Sequence, residues 1–256
     1  MRIKSPNYDH IAADYNRRYQ QNQHQGTLNA LRRILSEESP EKVLEVGCGT
    51  CHWLVLLSEV VQHQLVGIDK SRNMLRQAGP ACALLLCQGA AENIPLKNET
   101  FDLIFCVNAI HHFSKPVLFI AQANRLLKRG GTLAIIGMNP RDLRNHWYIY
   151  KFFDGTLATD LIRFPDWLEV KHWMQYKGFI DIHQEDVEFI HNPKTRETVL
   201  KDPFLEKTAC SQLALLSHNQ YRAGLQKLQK HVRSNPDPTY PYQNDIVITM
   251  LQAHKP

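Results

Sequence analysis

The chain has 256 residues, of which 43% are hydrophobic and 21% charged, with a formal net charge of +5. These proportions are ordinary for a soluble globular protein and allow one large α/β domain or a core with a cap. Lysine and arginine are scattered with no block of five or six, so no nucleic-acid tail is indicated, and no apolar run approaches the ~20 residues of a membrane helix.

No apolar signal-peptide region precedes Lys42, and the six cysteines lie mostly in or beside apolar stretches, so a reduced, cytoplasmic protein is expected. No metal is expected either. Cys48-x-x-Cys51 has no second pair at zinc spacing, because Cys82 and Cys87 flank a strand.

At the amino end, Tyr8, Ile11, Ala12, Tyr15 and Tyr19 recur at helical spacing, and a second helix is predicted over Thr27 to Leu35. Tyr8 reads as an anchor of that segment. Tyr15 reads equally as an anchor or as a cofactor contact.

The stretch Lys42 to Cys51 reads K-V-L-E-V-G-C-G-T-C. Val43, Leu44 and Val46 suit a buried strand, Gly47 and Gly49 a turn that lets a ligand approach the backbone, and Thr50 the start of a helix from Cys51 to about Val60. Strand, glycine turn and helix N-terminus form a ligand corner in open α/β sheets. A dinucleotide fingerprint would need glycine where His52 stands. Cys48 to His52 also spells C-x-x-C-H, the c-type haem pattern, but Cys48 sits between two glycines at a strand end and no export signal precedes it.

A second strand, Gln64 to Asp69, ends in an acid 22 residues after the first glycine, near the ~20 expected for a carboxylate that accepts from ribose hydroxyls. The alternative role for Asp69 is a helix N-cap. The predicted helix Ser71 to Ala78 carries Met74, either an apolar wall beside a base or core. Ala81 to Cys87 reads as a strand covered on both faces. Phe101 to Val107 is a fourth strand, and Asn108 to Phe113 at its carboxyl end faces the ligand crevice. His111 and His112 there are candidate general bases, with helix capping and a buried hydrogen-bonded histidine as the alternatives. Helix Pro116 to Leu127 and strand Thr132 to Gly137 complete a strand–helix alternation that predicts a doubly wound, mostly parallel sheet.

Beyond Gly137, the aromatic run Trp147, Tyr148, Tyr150, Phe152 and Phe153 could wall a pocket or form cap core. Pro165 suits the first turn of a further helix. Ile180 to Phe189 is a sixth strand, Tyr221 to Val232 an amphipathic helix, and Asp245 to Leu251 a last strand.

Taken together, five segments resemble the signatures of class I S-adenosylmethionine (SAM)-dependent methyltransferases: Glu45-Val46-Gly47-Cys48-Gly49-Thr50, Val66-Gly67-Ile68-Asp69-Lys70-Ser71, Gly89-Ala90-Ala91-Glu92-Asn93-Ile94-Pro95-Leu96, Phe101-Asp102-Leu103-Ile104, and Leu126-Leu127-Lys128-Arg129-Gly130-Gly131-Thr132-Leu133. They stand in the family's order over roughly residues 40 to 137. The resemblance is to the methyltransferase type 11 and ubiquinone/menaquinone-biosynthesis-like branch. It implies a Rossmann-like seven-stranded sheet with the last strand antiparallel. The core would be about residues 40–137 with end strands at about 179–189 and 243–253, under a cap from about 1–38, 139–177 and 190–240.

The resemblance also implies SAM as cofactor. Tyr15, Glu45, Gly47, Cys48, Gly49, Asp69, Lys70, Met74, Ala91, Glu92 and Asn108 are its expected contacts. Tyr8 to Tyr15 resembles the helix that closes over SAM in this family. Ala90 stands where the family usually has aspartate, which removes a side-chain bond to the adenine amino group and leaves a backbone contact at Ala91. The expected activity is methyl transfer to an oxygen, nitrogen or carbon of a small organic molecule, with His111 or His112 as base. Two alternatives remain open: a methyltransferase acting on RNA or protein, and a non-catalytic SAM-binding partner protein.

Overall fold

The computed structural model describes residue 6 and residues 8–12, 15, 16, 19, 24–58, 64–78 and 85–256. The chain order is α1 (Gln25–Glu38), β1 (Lys42–Val46), α2 (His52–Ser58), β2 (Gln64–Asp69), one turn over Arg72–Leu75, β3 (Leu85–Gln88), β4 (Phe101–Val107), α3 (Pro116–Leu126) and β5 (Leu127–Gly137). Then come β6 (His146–Trp147), α4 (Tyr148–Phe152), α5 (Thr156–Arg163), α6 (Trp167–Tyr176), β7 (Ile180–His191), α7 (His218–Ser234) and β8 (Asn244–His254).

The strands form one sheet in the order β3-β2-β1-β4-β5-β8. From β3 to β5 all pairings are parallel, and β8 is antiparallel to β5. Along one edge of β8 runs β7, paired from Asp245 to His254; β5 and then the two-residue β6 take the other edge. β8 alone runs against the rest, as the resemblance implies, and β6 is a short eighth strand that no motif announced. The order reverses between β1 and β4, so the crevice of this doubly wound sheet opens outside the carboxyl ends of those two strands.

Alternating residues feed two apolar layers. On one face Val43, Leu103, Phe105, Ala134 and Ile136 pack with Leu31 and Ile34 of α1 and with Leu54 and Leu57 of α2. On the other face Leu44, Val46, Ile104, Leu133 and Ile135 pack with Phe119 and Ile120 of α3 and with Val170 and Met174 of α6. A third cluster joins Tyr148, Ile149, Phe152 and Phe153 to Val199, Leu213, Leu228 and Tyr242. Of the two readings of the aromatic run, the structure takes cap core; Trp147 and Tyr150 lie at its margin.

Several boundaries differ from the sequence reading. The described part of β3, Leu85–Gln88, lies at the sheet's edge, where Leu85 is 54% exposed; a run of apolar residues is not enough to cover both faces of an edge strand. Residues 81–84, and 59–60 at the end of the second predicted helix, lie outside the described residues. β5 starts at Leu127, before the glycine pair, with a register shift against β4 between Phe101 and Leu103. At the start of α6 the cap is Asp166, which accepts from the Leu168 amide while Glu169 reaches back to the Asp166 amide. Pro165 therefore precedes the cap instead of entering the first turn, because the reciprocal pair satisfies two end amides that a proline cannot use.

Candidate active site

The corner after β1 is built by backbone geometry. Gly47 has φ +76, and a β-carbon there would lie 2.6 Å from that of Ala109. The turn is pinned by amide bonds from Gly47 and Cys48 to the Ile68 carbonyl, at 2.8 and 3.1 Å. At Gly49, φ is +55, and among the described residues a β-carbon would meet only Tyr15 Cε1, at 3.9 Å. The corner is thus open toward the space beneath the Tyr15 ring.

Asp69 closes the corner from β2. Its Oδ2 accepts the Gly49 amide and its Oδ1 the Ser71 amide, each at 2.8 Å. Each oxygen keeps a second lone pair, enough for two vicinal hydroxyls. Burial pushes the Asp69 carboxyl above its ordinary range, against the pull of those amide bonds. Ser71, not Asp69, caps the following turn through its hydroxyl and the Met74 amide.

Above this corner lies a cavity of about 510 Å³. One end is lined by Asp69, Lys70, Ser71, Met74, Ala91 and Glu92. Met74 serves both readings, since it lines the cavity and packs with Ile11 and Ala12. Glu92 is held by the Ser114 hydroxyl and the Lys115 amide; burial works against its ionisation, but these bonds draw its carboxyl below the usual range. It thereby ties the segment after β3 to the loop that precedes α3.

The middle is lined by Glu45, Gly47, Cys48, Gly49 and Tyr15. Glu45 is 1% exposed, and its Oε2 has no hydrogen-bond partner among the described residues. Burial pushes its carboxyl well above the usual range. An orphaned acceptor of this kind calls for a donor or cation from a ligand. Cys48 and Cys51 are buried with their Sγ atoms 3.6 Å apart, which removes the surface-exposed thiol pair that haem attachment would need.

Asn108 and His112 also line the cavity, as does Tyr8, which packs against the Met74 cluster; Tyr19, His24 and Trp53 line it where their rings meet. Asn108 adopts φ 49 at the end of β4, where its amide donates to the Ile136 carbonyl. Of the two candidate bases, His112 lines the cavity and pairs through Nε2 with the Tyr8 hydroxyl at 2.6 Å. His111 turns away from the lining and stacks on Phe164, with centroids 3.8 Å apart. Tyr8 is more than the anchor read from the sequence. Asp9 fastens the same segment to the Ser71 hydroxyl and the Asn73 amide, and Asn16 fastens it to Thr50. Tyr19, His24 and Trp53 were not foreseen as lining. Tyr19 continues the helical spacing of Tyr8 and Tyr15, which was a usable signal; His24 carried none.

A scan against known families matches residues 44–135 to the Methyltransf_11 methyltransferase domain. The chain is 28% identical over 120 residues to demethylmenaquinone methyltransferase of Staphylococcus saprophyticus, covering 44% of this chain and 52% of that one. It is 30% identical over 145 residues to 2-methyl-6-phytyl-1,4-hydroquinone methyltransferase 1 of Oryza sativa, covering 55% and 42%. The match therefore spans about half the length of these relatives. In fold it is similar to the YcgJ protein of Bacillus subtilis, with a TM-score of 0.63 at 18% identity over 91% of this chain and 99% of that one.

The residues of the methyltransferase domain fit SAM on their own chemistry. Asp69 offers acceptors for ribose, the unsatisfied Glu45 Oε2 suits a ligand donor, and the side-chain-free face of Gly49 leaves room for the ligand.

Proposed function

We propose that this chain transfers a methyl group from SAM to a small organic acceptor held at the Tyr19–His24–Trp53 end of the cavity. When bound, SAM supplies a methyl already activated on a sulfonium. The chain's own residues would hold the nucleoside at Asp69 and Met74, keep the backbone corner clear at Gly47 and Gly49, and orient the acceptor beyond Asn108 and His112. Holding two reactants in line replaces a bimolecular encounter, which is a large share of what such a protein must contribute.

The observation that carries this reading is the shared cavity. The glycine corner and Asp69, linked by the 2.8 Å Gly49–Asp69 bond, open on one space of about 510 Å³ that continues to the aromatic end. Two relatives are named as methyltransferases of a demethylmenaquinone and of a hydroquinone, and a ring-lined end suits planar acceptors of that kind. Titration calorimetry with SAM and with its demethylated product, S-adenosylhomocysteine, tests the reading. Micromolar or tighter binding supports it, and an absence of heat with both ligands overturns it.

A further inference from the structure

His24 stands at the amino end of α1 in a left-handed conformation, φ 44 and ψ 47, and makes no side-chain cap bond there. Such a backbone is costly for a residue with a β-carbon and persists where the surroundings impose it. The ring lines the cavity, with Tyr19 and Trp53 centroids 6.0 and 6.1 Å away. Its Nδ1 lies 3.5 Å from Glu188 Oε2, an ion-pair distance, with side-chain exposures of 13% and 10%.

Glu188 is fixed by other contacts. The same oxygen accepts from the Thr27 hydroxyl at 2.9 Å and from the Thr27 amide at 3.3 Å. Between Thr27 and His24, Gly26 lets α1 press on β7, since a β-carbon there would lie 2.2 Å from the Val187 carbonyl oxygen. A register shift in β7 falls between Asp186 and Glu188, the kind of irregularity that re-aims a side chain near a site.

The register also locates the pair. Glu188 is opposite Ile248, and Thr249 is opposite Gly137, so Glu188 is level with the residue just beyond the carboxyl end of β5. The nucleoside-binding Asp69 ends β2, on the other side of β1 and β4. The histidine–carboxylate pair thus belongs to the acceptor half of the crevice.

We propose that His24 is the general base that takes the acceptor's proton, that Glu188 is its positioning residue, and that the acceptor is a planar aromatic bearing a hydroxyl. This rests on the methyltransferase reading above. With Nδ1 turned to the carboxylate, Nε2 receives the proton. In the step, the acceptor oxygen forms a bond to the methyl carbon as the carbon–sulfur bond breaks. The electron pair of that bond stays on sulfur and cancels the sulfonium charge, and the O–H proton passes to Nε2. The resulting imidazolium faces the Glu188 carboxylate. Burial works against ionisation of Glu188, but the contacts from His24 and Thr27 draw its carboxyl below the usual range, so it is anionic at neutral pH. The titratable side chains around His24 among the described residues are Glu188 on β7, Tyr19, and His52 stacked behind Tyr19 at 3.6 Å.

The test uses the full chain with 1,4-dihydroxynaphthalene, kept reduced, as the probe. Binding is read by tryptophan quenching with S-adenosylhomocysteine present, turnover by S-adenosylhomocysteine formed from SAM. The wild type is expected to show saturable quenching and turnover. His24→Asn, which tolerates the left-handed backbone, is expected to keep S-adenosylhomocysteine affinity within about threefold and to lose about 100-fold in kcat. Glu188→Gln is expected to lose about 10-fold in kcat and to move the acid limb of the kcat profile to lower pH, since the imidazolium loses its counter-charge. An unchanged kcat in His24→Asn, an unmoved limb in Glu188→Gln, or a wild type that binds S-adenosylhomocysteine but neither binds nor methylates the probe overturns the assignment and leaves the cofactor reading intact. A wild type that fails to bind S-adenosylhomocysteine overturns both.

Discussion

The two ends of the cavity are made in different ways. At the Asp69 end the carboxylates rest mostly on main chain: Asp69 meets the Gly49 and Ser71 amides, and Glu92 meets Ser114 and the Lys115 amide, to which Asp9 and Ser71 add a side-chain tie. At the His24 end a side-chain pair joins distant parts of the chain, His24 with Glu188, and Tyr8 pairs with His112 in the same way. A backbone cradle depends on turns that few residues can adopt, so it leaves a spelled-out motif. A side-chain pair can be made by many residue combinations on two elements and leaves none.

Substitutions should therefore separate the ends. The largest effect is expected at Gly47→Val, where the side chain meets Ala109 and φ is +76; cofactor heat in a calorimeter should vanish, and measurable binding would refute the backbone-cradle picture. Asp69→Ala comes next. It removes two hydroxyl acceptors and should weaken SAM by about 100-fold, or ~3 kcal/mol. An affinity within a few-fold of wild type would mean the ribose is held elsewhere.

Apart from His24→Asn, the effects on the acceptor side are smaller, and they should spare the cofactor. The Glu188 carboxyl has a depressed folded value, so its stabilisation is complete above the unfolded value near ~4.3 and is lost as pH falls through the folded one. The melting temperature of the wild type should exceed that of Glu188→Gln by roughly 2–4 °C at neutral pH, on the order of 1 kcal/mol, with the gap closing in acid. A gap that widens in acid would contradict the geometry. Smallest is Tyr8→Phe, which removes the hydroxyl on His112 at about 1 kcal/mol. Acceptor KM should rise several-fold while calorimetry shows SAM affinity unmoved; a shift in SAM affinity alone would place Tyr8 at the wrong end.

Much of the fold was legible because two covered faces make β1, β4 and β5 nearly continuous apolar runs, and because glycines at 47 and 49 have few substitutes. β3 misled because hydrophobicity does not report whether a strand is central or at an edge. His111 and His112 could not be ranked because they sit in one 3-10 turn, whose orientation decides which ring meets the cavity and which meets Phe164. His24 and Glu188 stand on α1 and β7, and only the β8 pairing that sets the β7 register brings them together.

That pairing has a consequence for the order of assembly. β7 does not touch β5; it joins the sheet solely through β8, which is later in the chain. Until β8 inserts, β5 keeps an unpaired edge and the strand carrying Glu188 has no strand to pair with. In refolding, competence to bind nucleoside should precede the arrival of the histidine's carboxylate partner, so the chain would grip its methyl donor before it had finished building the place where the methyl is delivered.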